Sequence, residues 1–111
     1  MAADQATKPA DIFGVMPDEM KAEKAKGINA TFQFELEGAD GGIWVVAVRD
    51  GGCTVTTGAQ ESPNVTIKMA DQDFVALAMG QLSAVPAFLS GKIRVFGDYN
   101  LATKLPVLFA D

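Results

Sequence analysis

Ala30-Thr31-Phe32-Gln33-Phe34-Glu35-Leu36-Glu37 alternates apolar and polar residues without a break, the period of a strand with one dry face and one wet face. Gly38-Ala39-Asp40-Gly41-Gly42 follows, with the composition of a hairpin loop. Ile43 to Arg49 reads as a second strand. Both of its faces are apolar, and Arg49 sets the phase: it shares parity with Ile43, Val45 and Ala47, so that set turns outward and Trp44, Val46 and Val48 turn inward. Asp50-Gly51-Gly52 turns the chain into a third strand, Cys53 to Thr57, with Val55 inward.

Beyond this meander, Gly58 to Pro63 is a loop, and Val65, Ile67 and Met69 alternate with Thr66 and Lys68 in a fourth strand. Asp71 is placed as the N-cap of a short helix, residues 72–79, with Phe74, Leu77 and Ala78 on one face and Gly80 as its stop. Ser83 caps another, residues 84–89, whose apolar side is Val85, Phe88 and Leu89. Lys92 to Phe96 returns as a fifth strand with Ile93 and Val95 inward. Asp98 caps a last helix in which Leu101, Leu105 and Leu108 recur on one side with Phe109 beside them.

Upstream, residues 1–8 are small and polar and read as a flexible terminus. Pro9 to Lys26 carries Ile12, Phe13, Met16 and Met20 at helical spacing. Pro17 splits it into two helical pieces, the second ending at Gly27. The order of elements predicts an α+β fold, a five-stranded, mostly antiparallel sheet with helices packed on one face, in one domain over residues 9–111. The wet face of that sheet collects Thr31, Gln33, Glu35, Glu37 and Arg49, then Thr54, Thr56, Thr66, Lys68, Lys92 and Arg94. Ile43 and Val45 are the apolar exceptions on it, suited to a dimer contact.

Composition narrows the function. The 111 residues include no histidine and a single cysteine, Cys53, which excludes an intrachain disulfide, a thiolate zinc site and Ser–His or Cys–His chemistry. Nine Lys and Arg against 14 Asp and Glu give a net charge of −5, so no basic stripe exists for nucleic acid. No apolar run is long enough to span a bilayer, and the first residues carry no secretory signal. The lone thiol fits a reducing compartment.

The candidate reactive groups have plain structural explanations. Glu35 and Glu37 share a strand face and are expected to pair with Lys or Arg across the sheet rather than act as an acid–base couple. Asp71 and Asp73 suit a helix start without a metal. The glycine pairs 41–42 and 51–52 precede no helix and serve hairpin turns, not phosphates. Cys53 lacks a basic neighbour that would make it a nucleophile. Lys104 flanks the leucine stripe of the last helix, where it can snorkel as a surface lysine or meet an anionic head group at a pocket rim. What remains is a surplus of inward apolar side chains, for which a filled core is the default reading and which composition alone does not distinguish from a tunnel.

Five segments carry a family resemblance: Phe32-Gln-Phe-Glu-Leu-Glu-Gly38, Gly41-Gly-Ile-Trp-Val-Val46, Pro63-Asn-Val-Thr-Ile-Lys-Met69, Asp73-Phe-Val-Ala-Leu77 with Gly80, and Ala87-Phe-Leu-Ser-Gly-Lys-Ile-Arg-Val-Phe-Gly-Asp98. In this order and spacing the chain resembles the sterol carrier protein 2 family of nonspecific lipid-transfer domains, from about Asp11 to Phe109. The resemblance implies an apolar tunnel between sheet and helices that holds a lipid, and a binding and transfer role without catalysis, cofactor or metal. Carried over by position, the sheet wall of that tunnel is Phe34, Trp44, Val46 and Met69. The short helices add Phe74, Leu77, Met79, Leu82, Phe88 and Leu89, and the last helix adds Leu101, Leu105, Leu108 and Phe109, with Lys104 at the rim.

Familiar eukaryotic members of that family are basic and end in a peroxisomal signal, whereas this chain is acidic and ends Phe109-Ala110-Asp111. The expectation is therefore a cytoplasmic protein of the standalone bacterial type, monomeric or weakly dimeric. Fatty acids, fatty acyl thioesters and isoprenoid lipids suit it better than sterols, and a membrane or an enzyme would be a transient partner. The competing expectation is an accessory domain that dimerises or presents hydrophobic substrates to a partner enzyme.

Overall fold

The computed structural model describes residues 8–104. Helix α1 (Pro9–Glu19) opens with Pro9, whose fixed φ suits a first helical turn. The helix runs through Pro17 and stops at Met20, where the backbone becomes extended. Pro17 thus lies inside a single helix, and the break expected at it does not occur. The expected second piece is a set of turns, in which the Ala25 amide donates to the carbonyls of Lys21 and Ala22 and the Ala25 side chain is buried.

Strands β1 (Ala30–Glu37), β2 (Gly42–Arg49) and β3 (Gly52–Thr57) form the antiparallel meander. Asp50 and Gly51 between β2 and β3 both have positive φ (54° and 77°), the pairing that a tight two-residue hairpin requires. β4 (Val65–Ala70) pairs with β1 in parallel, and β5 (Arg94–Gly97) pairs with β4 antiparallel, giving the order β3-β2-β1-β4-β5. Three of the four pairings are antiparallel, and the sheet is mixed.

This order forces a crossing. The chain leaves β3 at one edge and must reach β4 across β2 and β1, a span of about 14 Å at ~4.8 Å per strand. Residues 58–64 make it over the face opposite the helices. The Gln60 amide donates to Oε1 of Gln33 at 2.9 Å, and Asn64 Oδ1 accepts the Thr31 amide at 2.8 Å. Gln33 faces Val45 in the ladder, and both are covered, at 5% and 1% exposure. Gln33 is therefore not solvated as expected, and Val45 is hidden by this chain's own loop rather than by a dimer contact.

The other face holds the core. Phe32, Phe34 and Leu36 of β1 join Val46 and Val48 of β2 and Val65, Ile67 and Met69 of β4, the phase that the alternation predicts. Ile12, Phe13 and Met16 of α1 pack on them, with Phe74 and Val75 of α2 (Asp71–Ala78) and Ala87 of α3 (Ala84–Leu89). Leu101 and Ala102 of α4 (Tyr99–Ala102) lie against the same cluster.

The caps are partly as expected. Asp98 Oδ1 accepts the Leu101 amide at 3.2 Å and caps α4. Ser83 occupies the cap position of α3 without a side-chain bond. Asp71 is the first residue of α2, after Ala70 at the cap. Its buried carboxylate instead accepts the Asp40 amide at 2.9 Å and the Gln72 amide at 2.7 Å, tying the β1–β2 loop to the helix start.

Candidate functional site

Four rings fill the space between sheet and helices. Phe13 stacks on Trp44 (4.8 Å, 16°) and on Phe74 (4.7 Å, 14°), and Phe34 meets both Phe13 and Phe74 edge-on. Phe34, Trp44 and Phe74 are three of the expected wall residues, and the structure brings them together. What lies between them is Phe13, so this part of the layer interface is a packed aromatic cluster. The sequence reading left Phe13 on a helix face that packs on something unspecified; its spacing with Ile12 and Met16 was the available signal.

Val46 and Met69 are buried below the rings, and Leu77, Met79, Leu82, Phe88 and Leu101 are half-buried against the same core. Leu89 departs from expectation: it is 77% exposed, as its helix neighbour Val85 is at 69%. α3 turns Ala87 and Phe88 inward instead. Leu105, Leu108 and Phe109 lie outside the described residues.

An open cavity of about 660 Å³ lies between the turns after α1 and the end of α4, lined by Lys24, Lys26, Ile28, Asn100, Thr103 and Lys104. These residues carry three ammonium groups and no carboxylate, in a chain of net charge −5. Lys104 lines this cavity, and Lys24 and Lys26 join it because the chain after α1 is turned and not helical there. Ile28 both lines the cavity and packs against the core, while Leu101, next to the lining residue Asn100, packs against the core without lining the cavity. The cationic mouth therefore adjoins the apolar interior.

The remaining candidates are structural. Glu35 receives Lys68 at 3.5 Å and the Gln33 side-chain amide at 2.8 Å, and Glu37 receives Arg94 at 3.0 Å, the cross-strand pairing that was expected. Burial pushes the Cys53 thiol above its ordinary value, which keeps it protonated and unreactive at neutral pH. Among the described residues no group of side chains is arranged to hold a metal ion, and no helix is long and apolar enough to cross a membrane.

Residues 11–110 match the model of the SCP-2 sterol transfer family. Over 88% of its length the chain is 35% identical to hydroxysteroid dehydrogenase-like protein 2 of Rattus norvegicus, and the match covers 19% of that protein. Over 79% it is 35% identical to human sterol carrier protein 2, covering 17% of it. The chain thus spans about a fifth of the length of the curated relatives it matches. Among solved structures, palmitated SCP2L2 from Aedes aegypti superposes with a TM-score of 0.65 at 26% identity, covering 85% of this chain and 90% of that one.

Proposed function

Because the chain belongs to the SCP-2 sterol transfer family, we propose that it binds single lipid molecules between its sheet and its helices and transfers them, with no bond made or broken. The observation that carries this reading is the position of Ile28, which lines a cavity bearing three ammonium groups and also packs against the apolar core. A fatty acid matches both halves. Its carboxylate sits among Lys24, Lys26 and Lys104, and its tail enters among Phe34, Trp44, Val46, Met69, Phe74 and Leu101. Each buried methylene contributes about 0.8 kcal/mol, so a long chain is held without directional bonds and with little selectivity for its structure. The palmitate carried by the Aedes aegypti relative is consistent with this ligand class.

Entry requires the protein's own rings to give way. α3 and α4 have six and four residues, too few to be stable helices alone, so they are the elements that part. Titration with a fluorescent polyunsaturated fatty acid tests the reading: saturable uptake displaced by palmitate is expected, and no uptake by the folded chain contradicts it.

A second reading has its own support. The curated relatives are several times longer than this chain, so the same fold also serves as one part of a larger enzyme, where it would present hydrophobic substrates. A stable complex with a separate enzyme, together with failure to transfer lipid between vesicles, would favour it.

A further inference from the structure

β3 is an outer strand of the sheet, and β2 is its only strand neighbour among the described residues. The Gly58 amide donates to the Ile43 carbonyl at 2.9 Å. Those two residues are the next opposed pair after Trp44 and Thr57, and bonded pairs alternate along an antiparallel ladder. Thr54 and Thr56 therefore direct their backbone groups at β2, while the N–H and C=O of Cys53, Val55 and Thr57 point away from the sheet. Proteins guard such edges with charges, prolines or bulges. Gly52-Cys53-Thr54-Val55-Thr56-Thr57 has no charge and no proline, and its register against β2 is unbroken. It is also uncovered: Cys53 and Val55 are half-buried and the other four residues are exposed. β5, the opposite edge, is shorter and carries Arg94.

The outward groups demand an extended strand, and β3 itself fits them. Turned about a two-fold axis through Val55, a second β3 runs antiparallel to the first. Val55 then faces its own counterpart and Cys53 faces Thr57 of the other copy, every pair exchanging both backbone bonds. Both faces match as well. Val55 lies opposite the core residue Val46, so the valine pair continues the apolar layer under the helices. On the open face Thr54 comes opposite Thr56, a favourable cross-strand combination. No like charges meet across the pairing strands, which matters between chains of net charge −5. We propose that a second copy of this chain adds to the β3 edge, making one continuous sheet across a symmetric dimer. α4, one of the elements proposed to part for a lipid, packs on β4 and β5 at the far side of the sheet, so pairing leaves it free. The dimer stands apart from the carrier reading.

Sedimentation equilibrium of the full chain tests it. A single added strand pair is smaller than a standard interface, so the mass is expected to rise from one chain to two between about 10 μM and about 1 mM. Thr57→Pro removes an outward N–H and keeps the ladder with β2, and should weaken the dimer about tenfold or more. The double variant T54K/T56K sets ammonium groups opposite one another across the two-fold and should do the same. Both variants keep fatty acid uptake; should Thr57→Pro misfold, the lysine variant decides alone. In hydrogen exchange, the amides of Cys53, Val55 and Thr57 slow at the high concentration, whereas those of Thr54 and Thr56 are already slow at the low one. A chain that stays monomeric at about 1 mM, a dimer that the folded variants leave intact, or outward amides that exchange equally at both concentrations overturns the proposal. So does slow exchange of those amides in a monomer, which would give the edge to another segment of this chain.

Discussion

The rings of Phe13 and Trp44 lie 4.8 Å apart and 16° from parallel, joining the first helix to the second strand at the place where a lipid tail would run. Phe13 is nearly fully buried and makes the same stacked contact with Phe74. Its ring fills the space between helix and sheet. An α+β domain of this size needs that closure, since an empty greasy gap forfeits dispersion contacts on both of its walls.

Phe13→Ala is therefore expected to lower stability by about 3–5 kcal/mol, read as the urea midpoint. Because the vacated space lies among proposed tail contacts, the variant should keep or tighten its binding of fluorescent fatty acid, and palmitate should restore part of the lost stability. A folded Phe13→Ala chain that binds no fatty acid would separate the ring cluster from the ligand site.

The cavity mouth makes a prediction about head groups. Replacing Lys104 with Ala should weaken palmitate binding by roughly threefold to tenfold, a range set by a partly screened charge pair, and leave methyl palmitate unaffected. Competition titrations with the two ligands measure this. Equal affinity for acid and ester in the wild-type chain would remove the ammonium groups from the binding account.

Asp71 and Gly38 form a close pair. A Cβ at Gly38, whose φ is +126°, would collide with the Asp71 carboxylate. Gly38→Ala should cost about 2 kcal/mol or more through strain alone. Asp71→Ala should cost about 1–3 kcal/mol by leaving the Asp40 amide without its acceptor. Thermal unfolding measures both, and an unchanged Tm for Asp71→Ala would mean that the loop finds another partner.

Cys53 gives a pH dependence. Its thiol is raised by burial, so the folded state disfavours the thiolate. That part of the stability is complete below the ordinary thiol pKa and is lost as pH rises toward the folded value. Alkylation by iodoacetamide at mildly alkaline pH should be slower in the folded chain than in urea. Equal rates would show an exposed thiol.

Much of the sheet was legible because its signal is local. Period-two alternation placed Phe32, Phe34 and Leu36 inward, and the single charge of Arg49 fixed the phase that turns Trp44, Val46 and Val48 toward the core. Strand order was not legible, since nothing near Val65 says that β4 lies beside β1. The crossing loop that follows from that order hides Gln33 and Val45, so both were misread. Pro17 misled for a different reason: a missing backbone donor within the last turns of a helix weakens it without breaking it there, and does not decide whether a second helix follows. On α3, Val85 and Leu89 looked like core by composition, and only the tertiary placement of Ala87 and Phe88 shows which side is inward. The cationic cavity escaped because Lys24 and Lys26 meet Lys104 across about eighty residues of sequence.

Native mass spectrometry of the chain mixed with palmitate tests the central claim most directly. The account predicts a complex of one fatty acid per chain, retained under gentle activation and lost when a longer-chain fatty acid competes. A folded chain whose mass stays that of bare polypeptide at saturating palmitate would contradict it.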